Sequence, residues 1–380
     1  MSPAPAALAA AARTLTINAA DSGWRGPDPY DGLWWPWPRP LVAGRRRRQA
    51  VVQLHARAPV DFRRLYRRPP ARIAKTLALF GSAGLRVAAA TADARPRALA
   101  LDALDALDAD VSAGSRAWGY PFDVQTRWSY YPAGAPNVVV TAFATMALLD
   151  GARATGRDAL AERARGAARW ALEELWVEPG GFFAYHRDSR VNVHNANVLG
   201  ATAVDAALAD DTGARDRVGR ALDRTLSAQA SDGSWPYGER GNLDWADSFH
   251  TGYVLLSLSR LRHIDPAIDD AIARGARHYE RFFDAAGRAT LWADRRWPED
   301  GHSAGTGLSA LSALLSGGHV DRAVLERVAQ RVLTAGLRGP TAVARRHRFG
   351  RVRVWYPRWC DGHVALGLAD AATALGGPRL

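Results

Sequence analysis

The chain has 380 residues, 48% of them hydrophobic, which is enough to bury a large core and excludes disorder as its main state. A single cysteine, Cys360, excludes an internal disulfide framework and a multi-cysteine zinc site, and fits a reducing compartment. The net charge of +12 is carried almost wholly by arginine, because Lys75 is the only lysine among 50 cationic residues; a GC-rich coding bias explains that skew and weakens the charge as a sign of nucleic acid.

In chain order, residues 4–12 are small and uncharged, but no basic segment precedes them and they are too few to span a bilayer. They read neither as a leader nor as a transmembrane segment, and a cytoplasmic location is expected. Residues 1–70 contain Trp24, Trp34, Trp35, Trp37 and five prolines between Pro27 and Pro40, with no helical period. They are expected to form an irregular arm packed on the remainder, residues 71–380. Within the arm, the basic run 45–48 and five further arginines from Arg57 to Arg68 lack the interleaved aromatics of a single-strand nucleic-acid platform. A solvated basic segment is the plainer reading.

From about residue 72 the pattern is helical, and the predicted helices are of two kinds. Residues 137–149, 195–208, 249–261, 305–315 and 364–375 are apolar on nearly every side, whereas 157–175, 215–229, 266–283 and 321–333 carry charge on one face. The kinds alternate strictly. A helix buried all round must lie between layers, and one with a single polar face must lie outside. Corresponding points at the starts of the apolar helices, Asn137, His194, His250, His302 and His363, are 57, 56, 52 and 61 residues apart. Each unit is one helical hairpin, which cannot bury both faces alone and must stack on its neighbours. Residues 71–90 and 95–111 would supply a sixth hairpin. The fold class is therefore all-α, an α/α toroid (α6/α6 barrel) with short β-hairpins in its loops near 180–186 and 351–356. The repeats are longer than those of open helical superhelices.

In such a ring the loops entering the inner helices converge at one end. Here they are polar: Asp123 with Arg127; His194 with Asn195; Asp244, Asp247 and His250; Asp300 with His302; Arg358, Cys360, Asp361 and His363. Capping explains one such cluster, since Asp, Ser and Asn are favoured at helix starts, but five exceed what caps require. Asp247 and His250 are three apart at a helix start, within reach of each other, and Asp300 with His302 repeats the pairing. A carboxylate beside an imidazole suits general acid–base catalysis. The expectation is that Asp247 and Asp300 act as acid and base while His250 and His302 orient them or share the proton. Asp123, Arg127, His194, Asn195, Asp244, Arg358 and His363 would bind polar groups of a substrate, and Trp235 and Tyr237 would stack on a ring. Flat aromatics with carboxylates and amides suit sugars; the same aromatics could also stabilise a carbocation. Cys360, Asp361 and His363 are too crowded in sequence for a convincing zinc site, and no metal or cofactor is expected. No GxGxxG, Walker, GxSxG or HExxH pattern is present.

Gln229-Ala230-Ser231-Asp232-Gly233-Ser234-Trp235 resembles the QW repeat of terpenoid cyclases and protein prenyltransferases, in which a Gln ending an outer helix and a Gly-x-Trp turn tie hairpins together. The resemblance implies the toroid, although the DxDD and DDxxD acids of those enzymes are missing. A second likeness covers most of the chain. Asp28-Pro29-Tyr30-Asp31-Gly32-Leu33, Gly119-Tyr120-Pro121-Phe122-Asp123, Pro136-Asn137, His194-Asn195-Ala196-Asn197, Asp247-Ser248-Phe249-His250-Thr251-Gly252-Tyr253 and Arg358-Trp359 resemble the pattern of the VpsJ-like proteins of bacterial exopolysaccharide and cell-surface glycan gene clusters. That resemblance implies polysaccharide biosynthesis, a sugar, oligosaccharide or lipid-linked glycan as substrate, and other polysaccharide-assembly proteins as partners. It also implies a toroid shared with six-hairpin glycosidases, lyases and epimerases. A terpenoid or prenyl enzyme and a non-catalytic glycan-binding scaffold are the alternatives.

Overall fold

The computed structural model describes residues 3–58, 60–61, 63–65 and 68–376. Among them the helices are, in order, α1 (Pro5–Asp21), α2 (Arg39–Val42), α3 (Arg45–Arg57), α4 (Ala74–Thr91), α5 (Ala94–Ala109), α6 (Val138–Thr155) and α7 (Asp158–Glu174). They continue with α8 (His194–Ala207), α9 (Thr212–Leu226), α10 (Ser248–Arg260), α11 (Ala267–Glu280), α12 (Gly301–Ser316), α13 (Arg322–Arg331) and α14 (Gly362–Ala374). The packing is a closed double ring. α4, α6, α8, α10, α12 and α14 each touch the next, and α14 returns to α4. Outside them lie α5, α7, α9, α11, α13 and α1.

The inner helices are those with apolar residues on every side. α6 is long and apolar enough to cross a membrane, yet it sits in the inner ring with Val138, Val140, Ala144, Ala147 and Leu148 buried. The outer helices bury one stripe: α11 buries Ile268, Ala271, Ile272, Gly275, Ala276 and Tyr279, at the spacing of a single helical face. Asp269 and Asp270 in its first turn and Arg277 and His278 in its last oppose the helix dipole favourably.

The arm departs from expectation. Residues 1–70 were expected to be irregular, but α1 is a 17-residue helix packed on α14 and α4, and it takes the outer-ring place beside α14, after which no helix follows among the described residues. Its buried residues Leu8, Ala12, Leu15, Thr16 and Ala19 follow a helical period. Arg63, read as part of a solvated basic segment, is buried and paired with Asp31 at 2.9 Å. Arg67 and the side chain of Arg64 lie outside the described residues.

The short strands are β1 (Val124–Gln125) with β2 (Tyr130–Tyr131), β3 (Trp176–Val177) with β4 (Phe182–Phe183), and β5 (Glu299–Asp300); then β6 (Leu337–Arg338) with β7 (Thr341–Ala342), and β8 (Arg345–His347) with β9 (Gly350–Arg351). β8 also pairs with β5, so the hairpin expected at 351–356 begins several residues earlier and is anchored to the start of α12.

The sequence QASDGSW ties hairpins together as its resemblance implies. Gln229 Nε2–H donates to the Ala271 carbonyl at 2.9 Å, and Trp235 Nε1–H donates to the Thr225 carbonyl at 3.0 Å. Gly233 has φ +86°, and a Cβ there would lie 2.3 Å from the Arg274 carbonyl oxygen.

Candidate active site

All six inner helices start at the same end of the ring, and the functional side chains gather there. Its floor is built around Tyr253 of α10. The hydroxyl lies 2.7 Å from His302 Nε2, 3.1 Å from His363 Nε2 and 3.1 Å from Lys75 Nζ. One phenolic proton can be donated to only one imidazole, so the short contact to His302 fits donation to that nitrogen, while Lys75 and His363 donate to the phenol oxygen. His302 and His363 stack with ring centroids 4.2 Å apart, and Phe249 stacks on the other face of His302 at 4.2 Å. This closeness requires glycine: a Cβ on Gly305 of α12 would meet the backbone of His363 at 2.4 Å. Trp359, in the turn before α14, meets His302 edge-on at 4.4 Å.

The floor is buried and rich in nitrogen bases. Lys75, Tyr253, His302 and His363 are all buried. Burial, reinforced by the nearby Arg358 charge, holds the Lys75 amine well below the usual lysine range. Burial also pulls His302 down, with His363 and Lys75 adding to the effect, and it pulls His363 down, with Lys75 and Arg358 adding to it. Tyr253 is pushed well above the usual phenol range by burial. Burial therefore favours the neutral form of each of these groups, and the neutral imidazoles hold lone pairs able to accept a proton. His302 Nδ1 is buried without a hydrogen-bond partner.

Above the floor, toward solvent, stands His250. Asp247 caps α10 by accepting the His250 backbone N–H at 3.0 Å on Oδ1, and its Oδ2 lies 2.8 Å from His250 Nδ1. A carboxylate only accepts, so the proton sits on Nδ1 and Nε2 is left as a lone-pair base. The His250 side chain keeps 21% exposure, whereas His302 and His363 are closed off. Tyr237 stacks on Trp245 at 4.4 Å and meets the His250 ring at 4.7 Å, and Trp292 stands edge-on to Trp245. This is a flat apolar wall beside an oriented base.

The structure separates the remaining expected residues. Asp300 caps α12 through the Ser303 N–H at 2.9 Å and faces Arg345 at 3.2 Å; it does not pair with His302, which turns to Tyr253. Both Asp300 oxygens are engaged and the residue is 1% exposed, an arrangement that anchors the start of α12. Trp235 cannot stack on a ligand, because its indole is wedged against Gly275 of α11 between two hairpins. Asp123 holds its own hairpin, accepting from Tyr130 Oη at 2.9 Å and from the Ala133 N–H at 2.8 Å. His194 lies between Thr225 at 3.4 Å and Glu239 at 3.8 Å, and burial takes it down to about 4. Arg358 is buried against Asp28, with Nη2 to Oδ1 at 2.7 Å, and so fastens the N-terminal segment across the ring. Asn195 is buried at the start of α8 with an unpartnered Oδ1. Arg127 and Asp244 are exposed in the surrounding loops.

Cys360, Asp361 and His363 do not converge. Asp361 accepts from Trp355 Nε1 at 2.8 Å and from the Ala342 N–H at 3.2 Å, whereas His363 faces Tyr253. The sequence does not single out Lys75 as a site residue, and Phe249, Tyr253 and Trp359 stand there only as parts of the motifs that resemble the VpsJ-like pattern, not as site residues. For Lys75 the signal is its being a solitary lysine in a chain that otherwise uses arginine.

No protein-family model and no curated protein matches the chain, so the VpsJ-like resemblance rests on the motif residues alone. Solved structures do match. The chain is similar in fold to a cellobiose 2-epimerase from Bacillus thermoamylovorans, with TM-score 0.63, 12% identity, and coverage of 79% of this chain and 87% of that one. It is similar to an unsaturated glucuronyl hydrolase specific for heparin, with TM-score 0.65, 12% identity and coverage of 97% of both chains. It is also similar to an α-1,6-mannanase of Salegentibacter, with TM-score 0.58, 12% identity, and coverage of 81% and 91%. At these identities the likeness establishes the fold alone, an α/α toroid.

Proposed function

We propose that the chain is a sugar-active enzyme whose central step moves a proton on and off a substrate carbon, as in epimerisation or elimination. The observation that carries this reading is the Asp247–His250 pair set above a floor of neutral imidazoles, Tyr253 and Lys75. Glycoside hydrolysis by two carboxylates needs a pair of free carboxyl groups flanking the bond. Here Asp300 is locked by Arg345, and Asp247 has both oxygens on His250.

Imidazole chemistry fits better. His250 Nε2 takes a proton from a carbon next to a carbonyl or carboxylate, with Asp247 stabilising the imidazolium that forms. Returning a proton to the opposite face inverts the centre, whereas expelling a group from the next carbon gives elimination. His302, His363, Tyr253 and Lys75 form a hydrogen-bonded set through which the second proton is supplied. Tyr237, Trp245 and Trp359 offer faces to the C–H side of a sugar ring. The fold's company of epimerase, hydrolase and mannanase supports sugar as the substrate class, and no observation favours prenyl or terpenoid chemistry. A place in polysaccharide biosynthesis, with an oligosaccharide or lipid-linked glycan as substrate, follows from the VpsJ-like resemblance and belongs to the same proposal.

The substrate class is tested by thermal shift against reducing disaccharides and uronate-containing oligosaccharides on one side and prenyl diphosphates on the other, since a ligand that binds only the folded state raises Tm. Stabilisation by a sugar that is lost in Trp245→Ala is the expected result. Stabilisation by prenyl compounds alone overturns the reading.

A further inference from the structure

The excess positive charge of the chain is not spread over its surface. Residues 39–57 and 345–353 together hold eleven arginines and no aspartate or glutamate, while the rest of the chain is close to balanced against a total of +12. The two segments are far apart in sequence but adjacent in space: Arg57 at the end of α3 and residues 347–352 of the β8–β9 hairpin line one surface cleft with Trp297. Both lie at the mouth. Arg48 of α3 donates to Gln125 Oε1 at 3.0 Å and sits over the Tyr130 ring at 4.3 Å, on the β1–β2 hairpin, and β8 is paired to β5 at the start of α12. Arg345 and Arg346 face Asp300 and Glu299, whereas Arg47 donates to the Pro40 carbonyl and Arg348 lies over Phe349.

Exposed large apolar side chains accompany these arginines: Phe349 lines the same cleft, and Leu41 and Leu54 belong to the 39–57 segment. Among the described residues, Phe349 is 90% exposed and Leu65 82% exposed, and Leu41, Leu54 and Val60 are each more than half exposed. Apart from Tyr130, which is also at the mouth, no other large hydrophobic side chain among the described residues is counted as exposed. A protein kept in free solution gains nothing by presenting aliphatic and phenyl groups among exposed arginines. An anionic polymer would use the charge and leave these groups in water. A bilayer surface uses both, with headgroup phosphates taking the guanidinium groups while protruding apolar tips enter the acyl boundary.

We propose that the mouth face of the toroid docks on an anionic phospholipid membrane, with Phe349 at the β8–β9 tip as the apolar anchor and the exposed arginines of residues 39–57 and 348–353 as the headgroup contacts. Docking in this sense presses the mouth against the headgroup layer, where a lipid-carried glycan presents its sugar. That last consequence rests on the sugar reading; the docking itself does not.

The test is co-sedimentation of the full chain with vesicles of phosphatidylcholine alone and of equal parts phosphatidylcholine and phosphatidylglycerol. The expected result is binding to the mixed vesicles only, released by high salt, since screening at about 1 M shortens the reach of charge to roughly 3 Å. Arg348→Ser/Arg351→Ser/Arg353→Ser should weaken binding by about tenfold or more, given the worth of each surface cation. Phe349→Ser should weaken binding several-fold with charge unchanged; both variants alter exposed residues, and circular dichroism checks that they fold. Protein that stays in the supernatant with both vesicle types overturns the proposal. So does binding to mixed vesicles that Phe349→Ser leaves intact and that heparin or duplex DNA competes for at equal charge, which would assign the face to anionic polymers. Failure of every sugar to bind while vesicle binding persists would remove the sugar reading and leave the docking in place.

Discussion

Asp247→Asn separates the chemistry of the site from its architecture. Asp247 uses one oxygen to cap α10, accepting the His250 N–H at 3.0 Å, and the other to hold His250 Nδ1 at 2.8 Å. Asparagine caps helices as well as aspartate does, so with its oxygen kept on the backbone N–H the stability should change by only a few tenths of a kcal/mol, whereas Asp247→Ala should cost about 1 kcal/mol. The asparagine amide then points its N–H at Nδ1, which must accept. The imidazole proton moves to Nε2, the atom that has to take a proton from substrate. General-base catalysis contributes about 10²–10⁴-fold, and a loss of that size in turnover is expected with binding largely retained. Nitrogen-15 chemical shifts of the histidine ring read the tautomer without any substrate, and urea unfolding reads the stability. An Asn variant that keeps its proton on Nδ1, or that turns over within about threefold of the wild type, would refute this assignment of roles.

Three further outcomes are expected. Asp361 is pushed up to about 8 by burial, so between the ordinary carboxylate range near 4 and pH 8 the folded chain holds a proton that the unfolded chain has released; stability from this group is full below pH 4 and falls as pH rises, on the order of 1.4 kcal/mol per pH unit. Asp361→Asn should match wild type near pH 4 and exceed it increasingly up to pH 8 in urea unfolding, and a gap that does not change with pH would contradict the assignment. Asp28→Asn leaves Arg358 buried without its charge partner and should cost about 3–5 kcal/mol, read as a lowered urea midpoint; an unchanged midpoint would mean that the N-terminal segment is not held there. Lys75→Arg places a guanidinium that cannot shed its charge where burial favours a neutral amine, so it should lower both activity and Tm more than Lys75→Met lowers Tm, and the reverse order would show that the amine is charged in the fold.

The ring was legible in the sequence because inner and outer helices differ in a local property: whether one face is charged or none is. α1 escaped because Ala-rich segments with no charged face look alike whether they are leaders, linkers or outer helices, and only Leu8, Leu15 and Thr16 against α14 and α4 reveal which. At the site, Asp247 and Asp300 are both helix caps closely followed by histidine, three residues on in the first and two in the second. That spacing turns His302 away from Asp300, and Arg345, brought by β8 from 45 residues away, takes up the carboxylate. Similarly, His194 and His363 both open inner helices, yet His194 is enclosed by Thr225 and Glu239 of its own neighbourhood while His363 faces Tyr253 and Lys75 across the ring. The types of residue at the mouth could be read from one hairpin at a time. Their roles depend on contacts between hairpins, which no local pattern encodes.

The central claim, that imidazoles move a proton on a sugar carbon, is tested most directly by incubating the protein with reducing disaccharides and uronate-containing oligosaccharides in deuterium oxide and following the sugar by proton NMR and mass spectrometry. The account predicts loss of the signal of the C–H next to the carbonyl or carboxylate, with a gain of about one mass unit in recovered or epimerised sugar, or a new unsaturated product, and none of these with Asp247→Asn. Cleavage of a glycosidic bond to saturated products with every carbon-bound hydrogen retained would contradict it, and would return the chemistry to carboxylates.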